Sequence, residues 1–249
     1  MGGVRGPLSV AAALSMIGYA GLQLLGRTYG STPAERSGRL PGDEVVSRPH
    51  FAITHAATID APAEAVWPWL VQVGWHRAGW YTPRWVDRLL FPANAPSANE
   101  IRPNWQGLAV GDFVPDGPAE TECGFTVLDL EPNRHLVLHS TSHLPVSWRR
   151  QGRAAVDWTW AFVLEPAGEG TTRFTFRWRA FTRPWWLRVL AWVLIVPADA
   201  VMSRGMLRGV ASRAERTARG HAREHSREHA RGGPAGGAAA RPEPAAPDL

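Results

Sequence analysis

The sequence predicts an α+β fold in which a curved antiparallel sheet wraps around a long C-terminal helix. Three observations carry this expectation. Residues 171–181 alternate, with Thr172, Phe174, Phe176, Trp178 and Ala180 on one face and Arg173, Thr175, Arg177 and Arg179 on the other. A period of two marks a strand buried on one side and wet on the other. Met202, Met206 and Val210 recur every four residues with Arg204 and Arg208 opposite, which gives a helix with one apolar stripe. The third observation is the order of elements: strand, helix, irregular cover, several short strands, then the long helix.

Residues 8–26 form an uncharged run between Pro7 and Arg27, rich in Leu, Ala and Gly. At 1.5 Å per residue the run is about long enough to cross a hydrocarbon core. Residues 1–28 are therefore expected to form a single-pass N-terminal membrane anchor. A cleaved signal peptide starting at Arg5, and a helix packed on the domain, stay open as alternatives. Arg27, Arg36, Arg39 and Arg48 follow the run and only Arg5 precedes it, which favours a cytoplasmic position for the domain.

Residues 29–47 contain Pro33, Gly38, Pro41 and Gly42 and read as a linker. The folded domain is expected over residues 48–215. Residues 50–60 suit a strand, with Ile53, Thr54, Thr58 and Ile59. Pro62 and Glu64 then open a helix that carries Val66, Trp67, Leu70 and Val71, is bent at Pro68 and stops at Gly74. Residues 75–110 lack a long period and hold Pro83, Pro92, Pro96 and Pro103, with a short helix at 84–91. A connector of that length usually covers something.

Residues 124–130 and 136–141 read as strands. Residues 157–164 do too, and place Trp158, Trp160, Phe162 and Leu164 on one face. Residues 185–196 are an apolar helix interrupted only by Arg188, and Pro197 is expected to break or bend it. From residue 216 the apolar face disappears, so 216–249 is expected to be a polar tail without fixed structure.

The net charge of +5 is unevenly spread. Residues 40–183 carry −2, while residues 1–39 carry +3 and residues 184–231 carry +5. A basic surplus beside apolar segments suits an anionic membrane surface, whereas a nucleic-acid binder carries its surplus on the folded body. Nucleic acid is accordingly not an expected partner. Lysine is absent, so the choice of arginine over lysine carries no information by itself. The single cysteine, Cys123, excludes an internal disulfide.

The stretch Ile59-Asp60-Ala61-Pro62-Ala63-Glu64-Ala65-Val66-Trp67 resembles the opening of the SRPBCC superfamily, which includes START domains and polyketide cyclases. Trp67-Pro68-Trp69-Leu70-Val71-Gln72, Gly79-Trp80-Tyr81, Asn104-Trp105-Gln106, Val110-Gly111-Asp112 and Met206-Leu207-Arg208-Gly209 are similar to one branch of it, in order. So is Leu40-Pro41-Gly42-Asp43-Glu44. The likeness spans residues 40–215 and departs from the pattern at Trp75-His76-Arg77-Ala78 and Thr82-Pro83-Arg84. It implies a helix-grip fold with a cavity for apolar ligands between sheet and long helix. It implies no particular activity and no cofactor.

The expected ligand-binding residues are Gln72, Trp80, Tyr81, Trp105, Trp158, Trp160, Phe162, Phe174, Phe176, Trp178, Met202 and Met206. Broad aromatics give area without strict hydrogen-bond demands, and methionine adapts to varied shapes. The rival role for Gln72, and for Asp112, is satisfying buried backbone in the cover. Tyr81, His139, Asp157 and His76 are the acid–base candidates, and they make no convincing catalytic set. His221, His225 and His229 would share a helix face, yet they sit in a polar repeat without supporting residues, so no metal site is expected. Three readings stay open. One is binding or transfer of a hydrophobic small molecule, lipid or polyketide-like, at a membrane. The others are a cofactor-free cyclase- or dehydratase-like enzyme, and a membrane-tethered interaction module with a filled core.

Overall fold

A computed structural model describes residues 5–90 and 92–231. Six strands form one antiparallel sheet: β1 (Phe51–Ile59), β2 (Phe113–Pro115), β3 (Gly124–Glu131), β4 (His135–Ser140), β5 (Ala155–Gly168) and β6 (Thr171–Arg183). Their spatial order is β1-β6-β5-β4-β3-β2, so the first strand pairs with the last. The helices are α1 (Arg5–Thr28), α2 (Pro33–Ser37), α3 (Ala63–Val71), α4 (Arg84–Leu90), α5 (Val146–Arg150), α6 (Trp185–Leu190) and α7 (Val196–Arg231), with a π-helical turn at Ala191–Ile195 joining the last two. This is the α+β helix-grip arrangement, a sheet with a long C-terminal helix packed against its inner face.

Register places the alternating residues in rows. Trp160 lies opposite Leu138 on one side and Trp178 on the other; Phe162 lies opposite Leu136 and Phe176. Phe176 in turn faces His55, and Trp178 faces Ile53. A register shift between Val127 and Asp129, and another between Pro166 and Gly168, add local twist and bend. Met206, Leu207, Val210 and Ala214 of α7 are buried in the same core cluster as these aromatics. A Cβ on Gly209 would come within 2.1 Å of the Tyr81 carbonyl oxygen, so only glycine lets the irregular cover lie directly on α7.

The outer face of β6 is not wet. Residues 29–47 lie across it, and Arg177 is only 3% exposed. Its guanidinium donates to Thr54 Oγ1 at 2.9 Å, to Gly38 O at 2.8 Å and to Asp43 Oδ2 at 2.7 Å. Arg173 grips both oxygens of Glu35 at 2.6 and 2.9 Å, and Arg179 donates to Val46 O. A capping box between Thr32 and Glu35 starts α2 and holds that carboxylate in place. The alternation of β6 fixes which residues face outward; it does not reveal what lies on them.

The two ends also differ from expectation. α7 continues to Arg231, because its Arg, Glu and Ala residues are good helix formers and Glu215 and Arg219 pair one turn apart at 3.9 Å. Residues 232–249 lie outside the described residues. α1 is not a lone helix: its C-terminal half packs on the start of α7. Gly26 permits the contact, since a Cβ there would meet the Val196 carbonyl oxygen at 1.9 Å.

The Glu35 carboxyl is held at about 2, mainly by its hydrogen bonds from Arg173, against an ordinary value of 4.5. A depressed folded-state value stabilises the fold above the ordinary value, and the contribution fades as pH falls from about 4.5 towards 2. The urea midpoint of the protein is therefore expected to fall across that window, and Glu35→Gln to flatten the fall. Arg177→Ala strands buried acceptors and the Asp43 carboxylate, and should lower unfolding free energy by about 3–5 kcal/mol.

Candidate functional site

The inner face of the sheet has a filled end and an open end. At the filled end Phe162, Phe174 and Phe176 are fully buried with ring centroids 6.0–6.2 Å apart. At the open end Trp158 and Trp160 stay half-buried although they face inward. Their rings stack at 5.8 Å, and Trp80 from the cover stacks on Trp160 at 5.1 Å. Phe125 closes against Trp158 at 5.0 Å, and the His143 ring lies 4.5 Å from both. Trp178 borders this group, 6.2 Å from Trp158. Among the described residues the buried Nε1 atoms of Trp158 and Trp160 have no hydrogen-bond partner. An unmade bond of this kind costs about 1–3 kcal/mol.

Beside this aromatic group opens a cleft of about 690 Å³, lined among others by Trp75, Asp116, Cys123, Ser142, His143 and Val146. Asp116, just after β2, accepts from Trp80 Nε1 at 2.7 Å and pairs with His143 Nε2 at 3.0 Å. The other ring nitrogen of His143 meets Ser140 Oγ at 2.8 Å. The result is a hydrogen-bonded chain Asp116–His143–Ser140 behind the cleft wall. Ser140 is itself buried and also meets the Ser142 hydroxyl and amide, so its oxygen is not presented as a nucleophile. Burial, and then the Asp116 charge, push the Cys123 thiol up to about 11, so at neutral pH it is no thiolate nucleophile.

The structure thus brings Trp80, Trp158, Trp160, Phe162, Phe176 and Trp178 into one aromatic wall. Gln72 and Tyr81 belong elsewhere. The Tyr81 hydroxyl donates to Trp69 O at 2.8 Å and accepts from Gln72 at 3.0 Å. Gln72 also accepts from the Arg102 amide and from Gln106, and so ties the cover to α3. Desolvation raises the Tyr81 pKa, and the phenol is neutral. Trp105 packs half-buried under Arg102, with the guanidinium 4.8 Å from its ring. Met206 is buried against the core and Met202 is half-buried. His139 pairs with Asp157 at 2.7 Å on the outer face. Asp116, Phe125 and His143 escaped the sequence reading, since two of them sit in loops where no period operates. Among the described residues no group of three His, Cys, Asp or Glu side chains can hold a metal; the side chains of His225 and His229 lie outside the described residues.

No protein-family model matches the sequence, and no curated protein matches it. Solved structures do align with it. A hypothetical protein from Helicobacter pylori is 9% identical over 71% of this chain and 95% of its own, with a TM-score of 0.43. A protein from Mesorhizobium loti is 18% identical over 67% of this chain and 98% of its own, at 0.35. The di-domain ARO/CYC protein BexL of the BE-7585A biosynthetic pathway is 18% identical over 66% of this chain and 46% of its own, at 0.37.

Asp116 accepts from the Trp80 indole, so Asp116→Asn weakens a charge-assisted bond at the cleft wall. It is expected to lower stability by about 1–3 kcal/mol and to reduce the near-ultraviolet dichroism of the Trp80–Trp160 stack, while far-ultraviolet dichroism stays unchanged.

Proposed function

We propose that the domain binds a hydrophobic small molecule, a lipid or polyketide-like compound, against the wall of Trp80, Trp158 and Trp160, and that it does so at a membrane. The observation that carries the reading is the pair of buried indole N–H groups, without a partner among the described residues, in an otherwise apolar wall. A ligand with a carbonyl or hydroxyl oxygen on a large apolar body satisfies both demands of such a surface. The Asp116–His143 cleft supplies the route and a few polar contacts at its mouth. The resemblance of the sequence to the SRPBCC superfamily points to the same class of ligand.

The membrane part rests on α1, whose Val10–Thr28 is long and apolar enough to cross a membrane by length and composition, and on the exposed apolar surface of α6 and the π turn beside it. Leu14, Ile17 and Leu24 on one, and Trp185, Trp192 and Ile195 on the other, are left exposed. Tryptophan beside such a surface suits the headgroup layer. The full chain should sediment with membranes and be released by detergent rather than by salt; a chain starting at Tyr29 should shift to the soluble fraction. Equal distribution of the two removes the anchor.

A second reading has its own support. A cofactor-free cyclase- or dehydratase-like enzyme needs a base at the cleft, and the His143 imidazole, held through Nε2 by Asp116, serves as one only when its Nδ1 exchanges Ser140 Oγ for the ligand. His143→Gln separates the readings: unchanged ligand binding with lost turnover of a bound polyketide-like compound selects the enzyme.

Binding itself is tested by titrating fatty acids, lysolipids and aromatic polyketides while following tryptophan emission and melting temperature. A ligand at a hundred times its Kd stabilises by about 2.7 kcal/mol, which raises the melting temperature by several degrees. Trp160→Phe keeps the aromatic body and deletes one N–H. It is expected to weaken binding about tenfold while lowering stability by no more than about 1 kcal/mol. Absence of any shift across the panel overturns the proposal in favour of a filled interaction module.

A further inference from the structure

A second cleft, also about 690 Å³, lies on the exposed side of α7, away from the aromatic wall. Its two walls differ in kind. α1 contributes Leu22 and Leu25; α7 and the first residue of α4 contribute Arg204, Arg208, Arg213 and Arg84. Arg84, Arg204 and Arg208 make no ion pair among the described residues. Arg204 lies over the Tyr29 ring at 5.7 Å. Arg213 is held by Ala98 O at 2.7 Å and Asn99 Oδ1 at 2.9 Å, over the Tyr81 ring. The carboxylate whose charge reaches Arg213 is Asp87, and its oxygens already accept from Thr82 and Ser97. The cleft therefore gathers four arginines against the single nearby carboxylate of Asp87, and it faces an apolar helix.

Its position along α1 matters as much as its charge. α1 has 24 residues, about 36 Å at 1.5 Å per residue, against a hydrocarbon core of about 30 Å. Leu25 sits three residues before the end of α1 at Thr28, so the cleft lies at the helix's C-terminal edge, where a membrane-crossing α1 leaves the bilayer. Guanidinium groups bind phosphate through paired hydrogen bonds. A soluble anion has no use for Leu22 and Leu25, whereas an acyl chain does.

We infer that this cleft holds the phosphate of an anionic phospholipid, with an acyl chain laid along Leu22 and Leu25 of α1. The inference rests on the membrane reading above and names the lipid class at that surface. It is tested with the full chain and two kinds of vesicle, phosphatidylcholine alone and phosphatidylcholine mixed with phosphatidylglycerol, whose negative surface attracts basic residues. The paired variant Arg204→Gln/Arg208→Gln removes two solvent-facing charges from the cleft. Arg223→Gln/Arg227→Gln removes the same charge from the exposed far part of α7 and controls for general attraction. Wild type and control should prefer the anionic vesicles, and the cleft variant should lose about tenfold or more of that preference while binding neutral vesicles as before. Equal losses in the two variants, or none in either, overturn the inference while leaving membrane binding intact. Abolition of the preference by millimolar inorganic phosphate assigns the cleft to a soluble anion instead. Failure of wild type to bind either vesicle overturns the membrane reading itself.

Discussion

Pro197 has no N–H, and the geometry of both apolar helices follows from that missing donor. In a regular helix residue 197 would bond to the Val193 carbonyl. In addition the Val196 amide bonds back to Ala191 O, which closes the π turn and frees the Trp192 carbonyl. Two adjacent carbonyls thus lack their regular i+4 donors on an apolar surface, where unpaired groups are costly. α1 satisfies both: Gln23 Nε2 donates to Trp192 O at 2.7 Å, and the Tyr19 hydroxyl donates to Val193 O at 2.9 Å. These bonds fix the rotation and depth of α1 against α7, and the close approach at Gly26 follows from them. The arginine-lined cleft exists because α1 is seated in that way.

Two residues beyond the proline, Asp199 holds the start of α7 from the other side. It accepts from His55 Nε2 at 2.7 Å, from Trp178 Nε1 at 3.0 Å and from Ser203 Oγ at 2.7 Å. An acidic residue in the first turn also complements the positive end of the helix. Between them, Gln23, Tyr19 and Asp199 set the height of α7 above β1 and β6. That height decides how tightly the grip closes. It is tight over Phe174 and Phe176, and looser over Trp158 and Trp160.

Much of the fold was legible because it follows from local period. The two faces of β5 and β6, the outward position of His139 and the inner face of α7 can all be read from neighbouring residues. What could not be read joins distant parts of the chain. The 29–47 segment looked like a linker because its charges and turns are ordinary; its role depends on Glu35 and Asp43 meeting Arg173 and Arg177 more than a hundred residues later. Asp116 and His143 carry no signal of their own, and only the pairing of β2, β3 and β4 brings them together. Gln72 shows the converse. Its type and place in a motif suggested ligand contact, but four hydrogen bonds commit it to the cover and its neighbours. The helix past residue 216 has no apolar face to announce it; only its helix-forming Arg, Glu and Ala persist there.

The pairing of β1 with β6 sets the order of events during synthesis. Phe51 lies opposite Ala180, so the sheet cannot close until nearly the whole domain has left the ribosome. Until then both edges of β1 are open, and Arg177, which neutralises Asp43, has not been made. α1 is complete long before. A chain built in this order exposes its apolar N-terminal helix while the domain behind it is still unfolded. Tyr19 and Gln23 reach the Val193 and Trp192 carbonyls only once the chain past Pro197 exists, so the contact between α1 and α7 joins the first and last helices made.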